Sequence, residues 1–170
     1  MDDSVWRRVL SWLLIVLFIL AAMWFAMRWL NPVAAVLGEA EVSSLKAEYQ
    51  QLRNQSESVS GSWLRTLNTR VKDVQGDLIW NPTVQKGMMR FINLPAPSGK
   101  QHYKLWIHDS RAGDGKPVLG ATLTSGSGKQ ELFVAIAAEK PVLEPFKFVL
   151  TMGEQDAGEA ESQIMLMVQP

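Results

Sequence analysis

The chain has 170 residues, with 17 basic and 17 acidic side chains and no cysteine. The balanced charge provides no net field that would attract nucleic acid, so we expect no nucleic-acid partner. The lack of thiols excludes disulfides, thiolate zinc sites and cysteine nucleophiles. Outside the apolar N-terminal region about 100–130 residues remain, enough for one small domain whose core is held by packing alone.

An apolar segment near the N-terminus dominates the sequence. Residues 9–27 contain no charged side chain, and as a helix they would span roughly 28 Å, close to the thickness of the hydrocarbon core of a bilayer. Tryptophans stand towards both ends of the segment, as is typical of membrane interfaces. The segment is longer than the apolar region of a signal peptide, and bulky residues follow it. It therefore predicts a single transmembrane helix over residues 9–30, in contact with the lipid bilayer.

Charges beside this segment predict its orientation. Arg7 and Arg8 precede it, whereas Arg28 alone follows it before Lys46. Basic residues favour the cytoplasmic side of a membrane. We therefore expect a single-pass protein of the bacterial inner (plasma) membrane, with residues 1–8 as a cytoplasmic tail. The C-terminal domain would then be periplasmic or extracellular.

A helical stalk or linker is predicted over residues 31–63. Asn31-Pro32 breaks the chain after the apolar segment, and helix-favouring polar residues follow. Apolar residues then recur at heptad spacing at Val42, Leu45, Tyr49 and Leu52, and the pattern extends to Val59 and Trp63. Two interpretations remain open. The helix either lies on its own domain, or forms a short coiled coil that makes a homodimer through the stalk.

From residue 64 the pattern changes to short apolar segments separated by Gly, Pro, Asn and Ser. Strands are predicted at 77–80, 88–92, 102–108, 118–124, 132–137, 146–151 and 163–168, with 64–71 as either a first strand or the end of the stalk. The run Ser125-Gly126-Ser127-Gly128 predicts a flexible hairpin turn. Seven or eight short strands, with a turn every 8–12 residues, predict an all-β antiparallel sandwich domain over residues 64–170. The transmembrane helix and the stalk would precede it.

Strand 102–108 alternates most strongly, and this alternation bears on the candidate sites. Tyr103, Leu105 and Ile107 point to one side, and His102, Lys104, Trp106 and His108 to the other. The two histidines are six residues apart, roughly 20 Å at the rise of a strand, and so cannot share a metal ion. An aromatic face with Trp80, Tyr103 and Trp106 suits a glycan or a peptide, but strand aromatics more commonly pack in a core.

Other familiar chemistry is missing from the sequence. Asp109 and Asp114 flank a glycine-containing loop, but they lack the alternating ligands of a calcium loop. The chain has no Gly-x-Ser-x-Gly elbow, no phosphate-binding loop and no dinucleotide fingerprint. We therefore predict no catalytic residue, no metal site and no cofactor, and we do not expect an enzyme.

Landmarks across the β region resemble a known family. The matching residues are Gly76, Trp80-Asn81-Pro82, Asn93-Leu94-Pro95, Tyr103-Lys104-Leu105-Trp106-Ile107, Gly120, Phe133, Phe148, Thr151 and Glu154. In this order they resemble the extracytoplasmic C-terminal domain of the anti-sigma-K factor (RskA) family, over about residues 64–170. The predicted family-motif and core residues are Trp80, Pro82, Leu94, Pro95, Tyr103, Leu105, Trp106, Gly120, Phe133 and Phe148.

The resemblance implies a regulatory role. Members of that family are single-span membrane proteins whose cytoplasmic domain holds a sigma factor inactive until successive proteolysis releases it. Residues 1–8 are too few to form such a domain. We therefore expect a membrane-anchored regulatory protein, in or derived from anti-sigma regulation of transcription, that acts through a protein partner. The alternative is a structural or adaptor module of an envelope protein complex.

Overall fold

A computed structural model of the protein describes residues 41–170, and the chain divides into two compact units, Met1–Ser44 and Leu45–Pro170. Among residues 41–170, no helix is long and apolar enough to cross a membrane. The predicted cytoplasmic tail (1–8), transmembrane helix (9–30) and first part of the stalk lie outside the described residues.

The described chain begins with a helix and continues with strands. Helix α1 occupies residues 41–53. The strands are β1 (Val59–Ser62), β2 (Leu64–Arg65), β3 (Gln75–Asn81), β4 (Lys86–Ile92), β5 (His102–Asp109), β6 (Val118–Leu123), β7 (Leu132–Ile136), β8 (Pro145–Gly153) and β9 (Gln163–Val168). A single turn of 3₁₀ helix, Thr69–Val71, lies between β2 and β3.

These strands form two antiparallel sheets. Sheet 1 has the order β1-β3-β4-β7, and sheet 2 has the order β2-β9-β8-β5-β6. All paired strands run antiparallel. The prediction of an antiparallel β-sandwich-like domain is therefore confirmed for this part of the chain.

The main core lies between the two sheets. It is built from alternate residues of each strand, because successive side chains of a strand point to opposite faces. Its fully buried members include Leu78, Trp80, Met89 and Phe91 from sheet 1, and Tyr103, Leu105, Ile107, Phe148, Leu150 and Leu166 from sheet 2. Trp63 closes one part of this core by stacking on Phe91, with ring centroids 4.9 Å apart.

A second apolar cluster lies on the outer face of sheet 1. Tyr49 and Leu52 of α1 pack there against Ile79, Met88 and Phe133, and Leu45 is partly buried beside them. The Tyr49 and Phe133 rings meet edge to face at 5.4 Å. The part of α1 from residue 45 onwards is therefore a third layer of the folded domain.

This packing favours the interpretation of the heptad pattern in which the helix lies on its own domain, and the homodimer through the stalk stays a prediction. Tyr49 and Leu52 are only 2% and 4% exposed, because they cover the chain's own sheet. Val42 is 49% exposed. The pattern also ends earlier than predicted, because Val59 lies in β1 and Trp63 directly follows that strand. The helix ends at residue 53 and the first strand begins at Val59, five residues before the predicted boundary at 64.

The predicted hairpin at 125–128 is also wrong. It would make β6 and β7 neighbours in one sheet, but β6 lies at the edge of sheet 2 and β7 at the edge of sheet 1. The connecting segment instead packs beside Leu94, whose N–H donates to Ser127 Oγ at 2.8 Å and whose carbonyl accepts the Ser127 N–H at 3.0 Å. This loop therefore crosses from one sheet to the other.

Gly76 is required by the close approach of β3 and β4. Its φ is +136°, and a Cβ placed on it would lie 2.0 Å from the carbonyl oxygen of Arg90. A side chain at this position would meet backbone in a conformation that L-residues rarely adopt. The Gly76 carbonyl accepts the Trp63 N–H at 3.1 Å.

Candidate functional site

A polar cluster fastens α1 to sheet 1. The Tyr49 hydroxyl donates to both carboxylate oxygens of Asp77, each at 2.9 Å. Arg90, opposite Asp77 in the sheet register, donates to the same carboxylate through Nε at 3.1 Å and through Nη2 at 3.0 Å. Glu131 extends the cluster, because it lies 3.2 Å from Arg90 and 3.6 Å from Lys46. The helix is thus held by a paired and hydrogen-bonded charge as well as by apolar contacts.

The surroundings of Tyr49 and Arg90 shift the pKa values of both side chains. Burial raises the pKa of Tyr49, and the hydrogen bond to Asp77 raises it further because it favours the protonated phenol. The hydrogen bonds to Asp77 raise the pKa of the Arg90 guanidinium. The arrangement therefore keeps Tyr49 neutral and Arg90 charged.

The outer face of sheet 2 is covered by the β8–β9 connection, residues 154–162, here called the strap. Lys104 of β5 points to this outer face, opposite the core residues Tyr103 and Leu105, yet it is only 6% exposed. Its Nζ donates to the carbonyl oxygens of Gln155 at 2.6 Å and Ala157 at 2.7 Å. The strap thus satisfies a buried ammonium group with backbone oxygens.

Two further residues of β5 complete this face. His108 Nε2 lies 2.9 Å from Glu159 Oε1, so the strap is attached at both ends of the strand. Trp106 lies between the two attachment points, is half-buried, and donates its indole N–H to Thr151 Oγ1 at 3.0 Å. The register pairs Trp106 with Val149, which is 1% exposed although it faces away from the core. The Lys104 amine, the Trp106 indole and the His108 imidazole thus lie in one row beneath the strap.

A cavity of about 300 Å³ lies at the end of the sandwich formed by the β5–β6 and β7–β8 loops. Asp109 lies at its wall and accepts the backbone N–H groups of Arg111, Leu143 and Glu144 at 2.7–3.1 Å. Burial by itself would raise the pKa of Asp109, but these three donors outweigh it and the pKa is lowered. The carboxylate therefore joins the two loops to each other.

Most of the predicted core residues lie in the interior or against it. Trp80, Leu94, Tyr103, Leu105 and Phe148 belong to the main core, Phe133 packs beneath α1, and Gly120 is buried. Pro82 and Pro95 are half-buried at the turns after β3 and β4. Trp106 is the exception. It lies outside the core because it shares a face of β5 with Lys104 and His108, so its assignment to the core is wrong.

Sequence reasoning missed the roles of Asp77, Arg90 and Lys104. Asp77 and Arg90 are separated by 13 residues and meet only because β3 pairs with β4. The sequence offers one signal for these roles, which is a charged residue within a strand whose other residues alternate between the two faces. For Lys104 that signal was noted, but its carbonyl partners lie more than 50 residues away in the strap.

Histidine, aspartate and glutamate side chains are the candidate metal ligands of this chain, which has no cysteine. Within residues 41–170, no group of three or more His, Asp and Glu side chains is arranged to hold a metal ion. The carboxylates of Asp109 and Asp114 accept backbone N–H groups of their own loops instead.

Comparison with family models, with curated proteins and with solved structures finds no match to the chain.

Proposed function

We propose that the protein is a membrane-anchored regulatory protein whose β-sandwich lies outside the cytoplasm and which acts through a protein partner. The resemblance of residues 64–170 to the RskA extracytoplasmic domain supports a place in, or an origin from, anti-sigma regulation of transcription. The uncharged segment 9–27 supports the membrane anchor.

The observation that carries the proposal is the docking of α1. A receptor-like protein passes a signal along its chain only if the extracytoplasmic domain is coupled to the segment that leads to the membrane. Here Tyr49 and Leu52 are buried against sheet 1, and Asp77 holds the Tyr49 hydroxyl. The helix is therefore built into the domain, and a change in the sandwich would alter the helix.

A second candidate is a structural or adaptor module of an envelope complex. Exposed apolar side chains on β2, on β9 and in the loop after β2 favour it: Leu64 is 49% exposed, Ile164 is 45% exposed, and Leu67 is fully exposed. Apolar side chains on a surface mark protein contacts when they are grouped. Such a surface would serve an adaptor without any link to transcription.

Topology is the first test. Alkaline phosphatase fused after Pro170 folds only outside the cytoplasm, so we expect it to be active. The matched variant replaces Arg7 and Arg8 by glutamate and removes the basic residues that favour a cytoplasmic N-terminus. We expect it to lose much of that activity. An inactive parental fusion at normal protein levels would reverse the proposed orientation.

Partner identity is the second test. The full chain, crosslinked in its native membrane and purified, should retain an anti-sigma protein or another regulator of a sigma factor. Recovery of envelope-assembly proteins alone would favour the adaptor. Direct micromolar binding of the purified chain to a sigma factor, with no third component, would contradict the expectation that the protein acts through a separate partner.

A further inference from the structure

The strap contributes no large apolar side chain to the face that it covers. Its sequence, Glu-Gln-Asp-Ala-Gly-Glu-Ala-Glu-Ser, has four carboxylates and no basic residue. Its attachments to β5 are polar: two carbonyl oxygens accept from Lys104, and Glu159 pairs with His108. When the strap is displaced, each of these contacts is exchanged for one with water or with a partner, so only the difference between the two holds the strap in place. The strap is therefore attached mainly by contacts that another polar chain could replace.

The face beneath the strap has a defined chemistry. Lys104, Trp106 and His108 are alternate residues of β5, so successive side chains lie about 6.6 Å apart. Lys147, half-buried, is paired with His108 in the sheet register. The row therefore offers cationic or hydrogen-bonding groups at each end and an indole between them. An extended segment with carboxylates at both ends and an apolar side chain between them is complementary to this row.

We propose that the outer face of β5 is a binding site for an extended acidic segment of another protein, and that the strap occupies it in cis as an autoinhibitory contact. The strap itself shows which chemistry the site accepts, because its carbonyl oxygens and the Glu159 carboxylate are already bound there. A partner segment can add an apolar contact with the Trp106 indole. The strap residues at and beside its attachment points include Ala157, Gly158 and Ala160, which carry no large side chain. A larger apolar side chain in a partner segment would bury the indole of Trp106. The site deepens the proposed function and rests on it only in assuming a protein partner.

The test uses the purified full chain in detergent and a fluorescein-labelled peptide with the sequence of residues 153–163. The opened variant carries Ala157→Gly and Glu159→Gly, which remove the contact between Glu159 and His108 and raise the conformational freedom of the strap. The matched control is Glu154→Gln, which removes one strap charge at an exposed position outside the contacts with β5. A second peptide has every Glu and Asp replaced by Gln and Asn.

We expect the opened variant to bind the acidic peptide at least about tenfold more tightly than the parent or Glu154→Gln, because the peptide no longer competes with a tethered copy of itself. Adding Lys104→Met to the opened variant should return the affinity to the parental level. The amide peptide should also stay at that level. Equal binding by the parent and the opened variant, or binding that survives Lys104→Met, would overturn the proposal.

Two further measurements keep the test decisive. If circular dichroism shows that the opened variant is unfolded, Glu159→Gln alone replaces it, and we expect about a threefold gain. An unchanged affinity would then overturn the site. Binding of the opened variant to phosphatidylglycerol vesicles without peptide binding would assign the face to an anionic lipid surface instead. None of these assays depends on topology or on the identity of the partner, so their failure would leave the regulatory function standing.

Discussion

The phenol of Tyr49 and the carboxylate of Asp77 lie 28 residues apart in the chain, and the hydroxyl donates to both carboxylate oxygens at 2.9 Å. This contact joins α1 to sheet 1. Arg90 also binds this carboxylate, at 3.0 Å, and its guanidinium carbon lies 5.8 Å from the centre of the Tyr49 ring. One aspartate thus orients both an aromatic and a cationic group.

Tyr49→Phe should lower the free energy of unfolding by about 1–2 kcal/mol, since it removes a hydrogen bond to a charged group and keeps the packing of the ring. The measurement is urea unfolding of the full chain in detergent micelles. Gln50→Ala, at an exposed position on the same helix, is the control and should stay within about 0.5 kcal/mol of the parent. In a double-mutant cycle with Asp77→Asn, we expect a coupling of at least about 0.5 kcal/mol. Additive effects would show that the two residues do not interact.

Alkaline unfolding should depend on Tyr49. Its pKa is raised in the folded state, mainly by burial, so the folded protein keeps its phenol proton at a pH where the unfolded chain has lost it. The resulting stability is complete below the ordinary tyrosine pKa of about 10 and is lost as the pH rises through the folded value. Tyr49→Phe should therefore flatten the decline in stability above pH 10.

The chain offers a matched control for this experiment, because it contains only two tyrosines. The pKa of Tyr103 is also raised by burial, and its hydroxyl donates to the Pro95 carbonyl at 3.0 Å. Tyr103→Phe should remove the other part of the alkaline decline. Absorbance at 295 nm during titration would assign each step. A decline unchanged in both variants would show that tyrosine ionisation is not its cause.

Much of the sandwich could be predicted from the sequence, because burial within a strand repeats every second residue. Tyr103, Leu105 and Ile107 of β5 were assigned to one face on this basis and are all buried. The same alternation predicts that Trp106 lies on the opposite, outer face of β5, where the structure has it. Only the general preference of aromatic residues for cores led to its wrong assignment.

The partners of these surfaces could not be predicted, because they depend on long-range packing. Heptad spacing at Leu45, Tyr49 and Leu52 is satisfied equally by a second helix or by the face of a sheet. Ser125 to Gly128 is compatible with a hairpin or with a crossing between sheets, and the alternatives differ only in tertiary contacts. Burial of Lys104 depends on the strap, whose contacting residues lie more than 50 positions away in the chain.

Acid unfolding should depend on Asp109. Three backbone donors lower its pKa against the effect of burial, so the stabilising carboxylate is fully charged above the ordinary pKa of about 3.8 and is lost as the pH falls through the folded value. Asp109→Asn should cost about 1–3 kcal/mol at neutral pH, since it replaces the charged acceptor of three part-buried N–H donors by an amide. The variant should also show a shallower loss of stability below about pH 4.

Asp114→Asn is the control for this acid-dependent stability. Its carboxylate accepts the Lys116 N–H in the same loop but is exposed. We expect a smaller effect at neutral pH, because an exposed donor finds water when the carboxylate is removed. Equal effects of the two substitutions would show that Asp109 does not join the loops.

The final prediction separates two tryptophans that the sequence treats alike. Trp80 is fully buried between the sheets, whereas Trp106 is half-buried on the outer face of sheet 2. Trp80→Ala should cost about 3–5 kcal/mol, as expected for a large cavity in a core. Trp106→Ala should cost only about 1–2 kcal/mol. The indole is only half-buried, so the substitution removes less buried apolar surface than at Trp80, together with one hydrogen bond. Trp106→Phe, which keeps an aromatic ring and removes the N–H donor to Thr151, should fall between the parent and the alanine variant. Urea unfolding of the three variants checks this order. A cost for Trp106→Ala equal to that for Trp80→Ala would mean that the strap seals this face as tightly as the core, and would remove the basis for a displaceable strap.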